Sequence, residues 1–303
     1  MAQTESGGLL VALSNDIAGA VERAGRSTVT VHGRGRLPGT GIVWQPGVVV
    51  TADHVLERDE DVTVSIGDGQ KVAATVAGRD PGSDLAILKV DGIGEPAEQA
   101  PSGSIKVGHF VLALGRPGTN VAASFGVVSA VGESWRTARG GVVEGYIRAD
   151  VSLYPGFSGG PLVDGAGRVA GLNSSHLARG QEIAIPAAAV SAVVQTLLTH
   201  GKIQRGYLGI TSRPVRLTEQ LQQKLGVEQA SGLLIMGVEP ESPAEKGGLM
   251  IGDVLVAVGG TPTTDSEDLQ VVLGPGTVGT AIEVMLLRGG ERATVHVTPG
   301  SRD

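Results

Sequence analysis

Cysteine is absent from the 303 residues, which excludes disulfides, thiolate-ligated zinc and a cysteine nucleophile while leaving the compartment open. Aromatic residues make up only 3%, so Val, Leu, Ile and Ala must fill the cores. Lysine and arginine form no cluster and the formal net charge is -7. The electrostatic footprint of a nucleic-acid binder is therefore missing, and nucleic acid is not an expected partner. No stretch approaches the ~18 consecutive apolar residues of a membrane-spanning helix. The opening MAQTESGGLLVALSNDIAG lacks a basic region, and its apolar run Leu9 to Leu13 is broken by Ser14, Asn15 and Asp16, so it reads poorly as a signal peptide. As written, the sequence predicts a soluble, unexported chain, or an exported one if a longer precursor was trimmed.

What is present is a length sufficient for two domains, each with its own core. The 48 glycines and 15 prolines are too dispersed for collagen or a low-complexity tract and predict tight turns between short strands. Leu10, Leu13, Ile17 and Val21 recur at helical spacing, so Leu9 to Arg23 is expected to be a short amphipathic helix within an N-terminal segment 1–27. From Thr28 onward, short Val/Ile/Leu-rich runs such as TVTVHG, GVVVTA, DLAILKV and HFVLALG are punctuated by Gly, Pro and Asp. These predict an antiparallel barrel or sandwich over 28–200, closed by a helix over Ala187 to Leu198 that stops at His200 and Gly201. A linker is expected at 201–205 and a smaller domain at 206–299. That domain shows strands GYLGI, GLLIMGV, DVLVAVGG, AIEVMLL and ATVHVT, with helices at Ala244 to Gly248 and Glu267 to Leu273. No tandem repeat is evident.

Three segments hold the residue types that nucleophilic catalysis needs. His54 follows the strand VVVTA, Asp84 opens the strand LAILKV, and Ser158 lies in the glycine-flanked turn YPGFSGGPLVD. A serine hydroxyl is a weak nucleophile until an imidazole takes its proton, and a carboxylate fixes that imidazole's tautomer. The glycines suit an oxyanion hole built from the amides of Gly156 and Ser158. Taken singly, each signal reads more readily as a structural residue, a turn or a cap; the three together, in this order, do not. GFSGG also satisfies the G-x-S-x-G elbow of α/β-hydrolases, but that elbow requires a helix after the serine. Here Pro161, Gly165 and Gly167 predict strand, turn and strand, and the partners would have to be residues such as Asp164 and His176. Of the residues before the nucleophile, Ser152 and Leu153 are the candidate substrate pocket. With Tyr154 they provide no acidic floor, so cleavage after small or medium aliphatic residues is expected.

The segments TADHV, SDLAILKV, GFSGGPLVD, QEIAIP and RGYLGI resemble the HtrA (DegP/DegS-like) branch of trypsin-like serine proteases. That resemblance implies a mostly β fold, a double six-stranded β-barrel protease followed by a small α+β PDZ domain. It implies His54, Asp84 and Ser158 as the triad and ATP-independent proteolysis of unfolded or damaged proteins, with no metal and no cofactor. Tyr207, Leu208, Gly209 and Ile210 stand where a PDZ domain binds a peptide C-terminal carboxylate, and Leu269, Val272 and Leu273 could line the groove beside Ile210 or belong to the core. The family usually has Asn where Phe157 precedes the nucleophile, and Asn-Asn or Ala-Ala where Ala52-Asp53 precedes the histidine. Family trimers commonly use N-terminal aromatics, and none precedes Trp44 here; a homotrimer is the oligomer the resemblance implies. A second reading from another class is a catalytically silent chaperone or PDZ scaffold.

Overall fold

A computed structural model describes residues 4–301 apart from 36, 68, 138–141, 179–180, 202–205 and 275. Of the linker expected at 201–205, only Gly201 falls among the described residues. The chain divides into two compact units, Met1–Lys202 and Ile203–Asp303.

The first unit begins with α1 (Thr4–Gly25), longer at both ends than the sequence pattern suggested. Only the second half of its apolar stripe is covered: Ala20 and Ala24 are buried, whereas Leu10 and Leu13 are 68% and 42% exposed. Hydrogen bonds tie its end down, among them Arg23 Nε to Ala166 O (2.9 Å), Thr28 Oγ1 to Ala24 O (2.8 Å) and Arg116 to Gly25 O (2.7 Å). Six strands follow: β1 (Thr28–His32), β2 (Gly39–Gln45), β3 (Val48–Ala52), β4 (Val62–Ser65), β5 (Lys71–Asp80) and β6 (Leu85–Val90). They close into a barrel in the order β1-β2-β3-β6-β5-β4. Its interior is aliphatic, with Val29, Val31, Val43, Val49, Val64 and Leu88 fully or almost fully buried, as β-branched side chains suit a pleated surface.

A second barrel contains β7 (Phe110–Gly115), β8 (Ala122–Gly132), β9 (Tyr146–Ala149), β10 (Pro161–Asp164), β11 (Val169–Ala178) and β12 (Gln181–Pro186). Its order is β9-β12-β11-β10-β7-β8. Read from its third strand, the first barrel runs β3-β6-β5-β4-β1-β2, so both share one topology despite the lack of a visible sequence repeat. The helix α2 (Ala187–His200) then ends on Gly201, whose φ of +73° and N–H bond to Leu197 O (2.8 Å) make it the left-handed cap.

The second unit is a sheet of β13 (Ile210–Arg216), β14 (Ser231–Val238), β15 (Val254–Val258), β16 (Ile282–Arg288) and β17 (Glu291–Val297), joined in that order. It carries α3 (Glu219–Leu225), α4 (Pro243–Lys246) and α5 (Ser266–Val272). Helix α5 has its expected start, with Asp265 accepting from the N–H groups of Glu267 and Asp268 (both 2.9 Å). Helix α3 has no counterpart in the sequence reading. It presents only Leu221 and Leu225 to an apolar cluster, and Thr218 caps it by accepting from Leu221 N.

Candidate active site

The three residues singled out in the sequence converge where the two barrels face each other. His54 lies in a single 3-10 turn, Asp53–Val55, directly after β3. Asp84 precedes β6, the neighbour of β3 in the barrel, so strand pairing brings it beside the histidine. The Asp84 carboxylate accepts from His54 Nδ1 (2.8 Å to Oδ2, 3.0 Å to Oδ1), from the His54 backbone N–H (3.0 Å) and from Ser174 Oγ on β11 (2.5 Å). Asp84 is only 1% exposed and adopts φ +56°, an uncommon conformation for a residue with a Cβ that here aims the carboxylate at the imidazole. Burial alone would raise its pKa. The hydrogen bonds and charge of His54, with the Ser174 bond, outweigh that and hold the carboxyl below the usual range.

Asp53, the carboxylate next to the histidine in sequence, faces away: its Oδ1 accepts from Arg79 Nε (2.6 Å). Asp84, and not Asp53, is thus the carboxylate that holds the His54 ring nitrogen.

Ser158 comes from the second barrel, in the turn between β9 and β10. The turn is fixed by contacts that require glycine at two positions. Gly156 has φ +90°, and a Cβ there would lie 2.6 Å from Pro117; Gly159 has φ +84°, and a Cβ there would lie 2.1 Å from Thr40 O. Thr40 binds the turn across the barrels, donating from Oγ1 to Gly156 O (2.6 Å) and from N to Ser158 O (3.1 Å). The N–H groups of Phe157, Gly159 and Gly160 donate to Tyr154 O, Asn173 O and Phe157 O (2.9, 2.8 and 2.9 Å). The expected oxyanion donors, Gly156 and Ser158, are not engaged in those bonds.

Phe157 points inward. It is 1% exposed, packs in the second barrel's core and meets the Tyr154 ring edge-on at 5.4 Å. A fully buried phenylalanine side chain is worth about 1.5–3 kcal/mol, so the ring anchors the turn from below rather than crowding it.

Ser158 Oγ bonds to Ser175 Oγ (3.0 Å) rather than to His54. Ser175 Oγ in turn meets His176 Nδ1 (3.2 Å), and the His176 ring stacks on His54 with centroids 3.7 Å apart. None of Ser174, Ser175 and His176 stood out as a partner of this triad in the sequence, because NSSHL there is an ordinary strand. In enzymes without substrate, catalytic hydrogen bonds are often long and tighten only in the complex.

Of the expected substrate pocket, Leu153 lines a small cavity within the second barrel, but Ser152 does not. Ser152 is exposed, and both its N–H and its carbonyl are tied to the Ser124 hydroxyl (3.2 and 2.8 Å). A carboxylate does line the cavity: Glu182, from β12.

In the second unit, Leu208 O accepts from Ala244 N and Gly209 O from Glu239 N, both at 2.8 Å. Each trans peptide therefore directs the following N–H, those of Gly209 and Ile210, to the opposite side. Gly209 has φ +81°, and the Tyr207 hydroxyl donates to Glu239. Leu208, Leu269 and Leu273 are buried core residues; Ile210 and Val272 are half-buried against the same cluster. The groove expected from the helix thus has Leu269 and Leu273 in its foundation rather than free in its wall.

Comparison with known proteins agrees with this architecture. The trypsin-like peptidase domain family matches residues 39–172 and the PDZ domain family residues 206–298. Two curated relatives, from Pseudomonas savastanoi pv. phaseolicola and Halomonas elongata, bear the name probable periplasmic serine endoprotease DegP-like. Both are 35% identical, over 87% and 86% of this chain and 56% and 55% of their own length. This chain spans little more than half of those relatives. The solved HtrA-type protease AlgW with decapeptide is 27% identical with a TM-score of 0.71, covering 95% of this chain and 99% of that one. The serine endoprotease from Yersinia pestis is 29% identical with a TM-score of 0.71, covering 95% and 98%. The chain belongs to the HtrA family. As an HtrA protein it is mostly β, a trypsin-like double barrel followed by a PDZ domain. No described helix is long and apolar enough to cross a membrane. Among the described residues, no group of three or more His, Cys, Asp or Glu could hold a metal ion.

Proposed function

We propose that this HtrA protein is an ATP-independent serine endopeptidase for unfolded or damaged proteins. Residues 28–200 form the protease domain, and the PDZ domain over 206–299 recognises peptide C-termini. The observation that carries the reading is the buried Asp84 holding His54 Nδ1, opposite a serine presented by a glycine turn. With Nδ1–H committed to Asp84, His54 Nε2 is the free base. It takes the Ser158 proton as Oγ attacks the peptide carbonyl, while the N–H groups of Gly156 and Ser158 receive the developing oxyanion. The resulting imidazolium, balanced by Asp84, protonates the leaving amine, and water releases the acyl group by the same route. The relatives' name places them in the periplasm, and an exported location fits this chain. Assembly as a homotrimer follows the resemblance.

The Ser158–Ser175 hydrogen bond is the one observation that favours a silent chaperone or scaffold. A fluorophosphonate separates the two readings: covalent labelling at Ser158, with cleavage of an unfolded protein and product ends mapped by mass spectrometry, supports the peptidase. An unlabelled Ser158 with intact PDZ binding supports the scaffold.

The pH dependence follows from the Asp84 shift. Because its carboxyl is held low, Asp84 stays ionised wherever an imidazole titrates, and its depressed pKa contributes stability that is lost only as pH falls through that low value. A loss of kcat/KM on mild acidification that precedes any loss of structure is therefore expected to come from the catalytic base and not from Asp84 or the fold. A flat profile, or a fall that follows loss of structure by circular dichroism, counts against a histidine base.

At the PDZ domain, a peptide with a free hydrophobic C-terminus should bind roughly 10- to 100-fold more tightly than its C-terminal amide, since a charge-assisted hydrogen bond is lost. Equal affinities by calorimetry would remove carboxylate capture at Tyr207 to Ile210.

A further inference from the structure

Strand β13 is an edge of the PDZ sheet: β14 pairs with one side of it, and among the described residues no strand pairs with the other. Two hydrogen bonds fix which way its amides point. Gly209 O accepts from Glu239 N (2.8 Å), and Leu217 N donates to Ala230 O (2.9 Å). In an antiparallel ladder such bonds flank the pairs Ile210–Val238 and Arg216–Ser231, whose own N–H and C=O groups therefore point away from the partner strand. The extra residue of the bulge in this ladder, Met236, belongs to β14, so the alternation along β13 runs unbroken between those two ends. Ile210, Ser212, Pro214 and Arg216 thus face the open edge, and Thr211, Arg213 and Val215 face β14. Helix α5 packs against this strand over the cluster that holds Ile210, Leu269 and Leu273.

An extended peptide whose carboxylate is taken by the loop adds to this edge antiparallel to β13. Its last residue accepts from Ile210 N through the carboxylate and donates to Ile210 O. The third residue from its end exchanges both backbone bonds with Ser212. Next in line is Pro214, which is exposed. Proline has no N–H to give, and its ring stands where that hydrogen would be. A peptide strand continued to the fifth residue from its end therefore brings up a carbonyl that finds no donor and a backbone that meets the pyrrolidine.

We propose that the PDZ domain reads only the last three residues of a peptide C-terminus, with Pro214 as the stop. This rests on the carboxylate-capture reading above. The ligand class is a free chain end that protrudes by a tripeptide, and no long extended tail is required. The side chains of its last and third-last residues fall on the face that Ser212 shares with its cross-strand partner Ile235, the apolar face that also holds Leu269 and Leu273. Selection therefore rests on those two side chains. The same proline blunts the edge against pairing with a second copy of the chain.

The test measures peptide binding by calorimetry to the full chain carrying Ser158→Ala, which prevents cleavage, with and without Pro214→Ala. The probes are N-acetylated peptides of three and five residues that share one hydrophobic C-terminal tripeptide, the two added residues being alanine, together with the C-terminal amide of the longer one. With Pro214 in place the two lengths should bind within about twofold of each other. Pro214→Ala restores the donor, and five residues should then bind roughly 3- to 10-fold more tightly than three, the worth of one net hydrogen bond. Pro214→Val, a better strand former with the same donor, should repeat the gain. A gain of threefold or more with Pro214 in place, or no gain in either variant, overturns the stop and leaves carboxylate capture standing. Equal binding of acid and amide removes carboxylate capture itself, and the stop falls with it.

Discussion

Alanine at position 158 is expected to reduce turnover by about a millionfold, the loss seen when the nucleophile of a comparable triad is removed and its members cease to act as a unit. The geometry explains why no neighbour substitutes. Ser175 Oγ lies only 3.0 Å from Ser158 Oγ, yet it belongs to β11 and not to the glycine turn. A tetrahedral intermediate formed on Ser175 would lack the donors supplied by Gly156 and Ser158, and such donors contribute about 10²- to 10³-fold each. The measurement is cleavage of an unfolded protein and of a short chromogenic peptide by wild type and Ser158→Ala, with Ser175→Ala as the control that retains the nucleophile. Cleavage by Ser158→Ala near the wild-type rate would remove Ser158 from the mechanism.

The parts of this site legible in sequence are those whose chemistry is written in a few consecutive residues. Strand, then His54; Asp84, then strand; glycine turn around Ser158: each pattern is local. The supporting groups are not local. Ser174, Ser175, His176 and Glu182 come from β11 and β12, and only barrel closure and the packing of one barrel on the other bring them to Asp84, Ser158, His54 and Leu153 respectively. QEIAIP carries the family resemblance and His176 is a possible partner only in the rejected hydrolase reading, but neither segment signals in linear order which of its side chains meets the triad. Asp53 shows the converse. It is adjacent to His54 in sequence, but consecutive residues of a 3-10 turn point in different directions, and Arg79 takes its carboxylate. Phe157 was visible as a departure from the family's usual Asn, but its inward orientation was not, since that depends on the space beside Gly115, where a Cβ would lie 2.3 Å from the ring. The strand order was legible only as short, regularly spaced apolar runs. That the second barrel repeats the first is a property of pairing, and the two sets of strands share no sequence pattern that would announce it.

Asp84→Asn should leave the fold intact and lower turnover by about ten-thousandfold. The substitution preserves shape, and the hydrogen bonds determine how the new carboxamide must lie. The backbone N–H of His54 donates to Oδ1 (3.0 Å), so the amide oxygen takes that place and the NH2 group takes the place of Oδ2. That position is 2.8 Å from His54 Nδ1 and 2.5 Å from Ser174 Oγ. The Ser174 hydroxyl can rotate to accept from the amide, because a hydroxyl is both donor and acceptor. An imidazole facing an N–H donor must accept at Nδ1, which moves its own proton to Nε2. The nitrogen that should take the Ser158 proton is then already protonated, and the imidazolium formed in the reaction loses its counterion as well. Two controls separate this from mere destabilisation: circular dichroism should match wild type, and binding of a free C-terminal peptide at the PDZ domain should be unchanged. Asp53→Asn, which alters the Arg79 ion pair instead, should spare most of the activity. A wild-type rate in Asp84→Asn, or a comparable loss in Asp53→Asn, would assign the orienting carboxylate elsewhere.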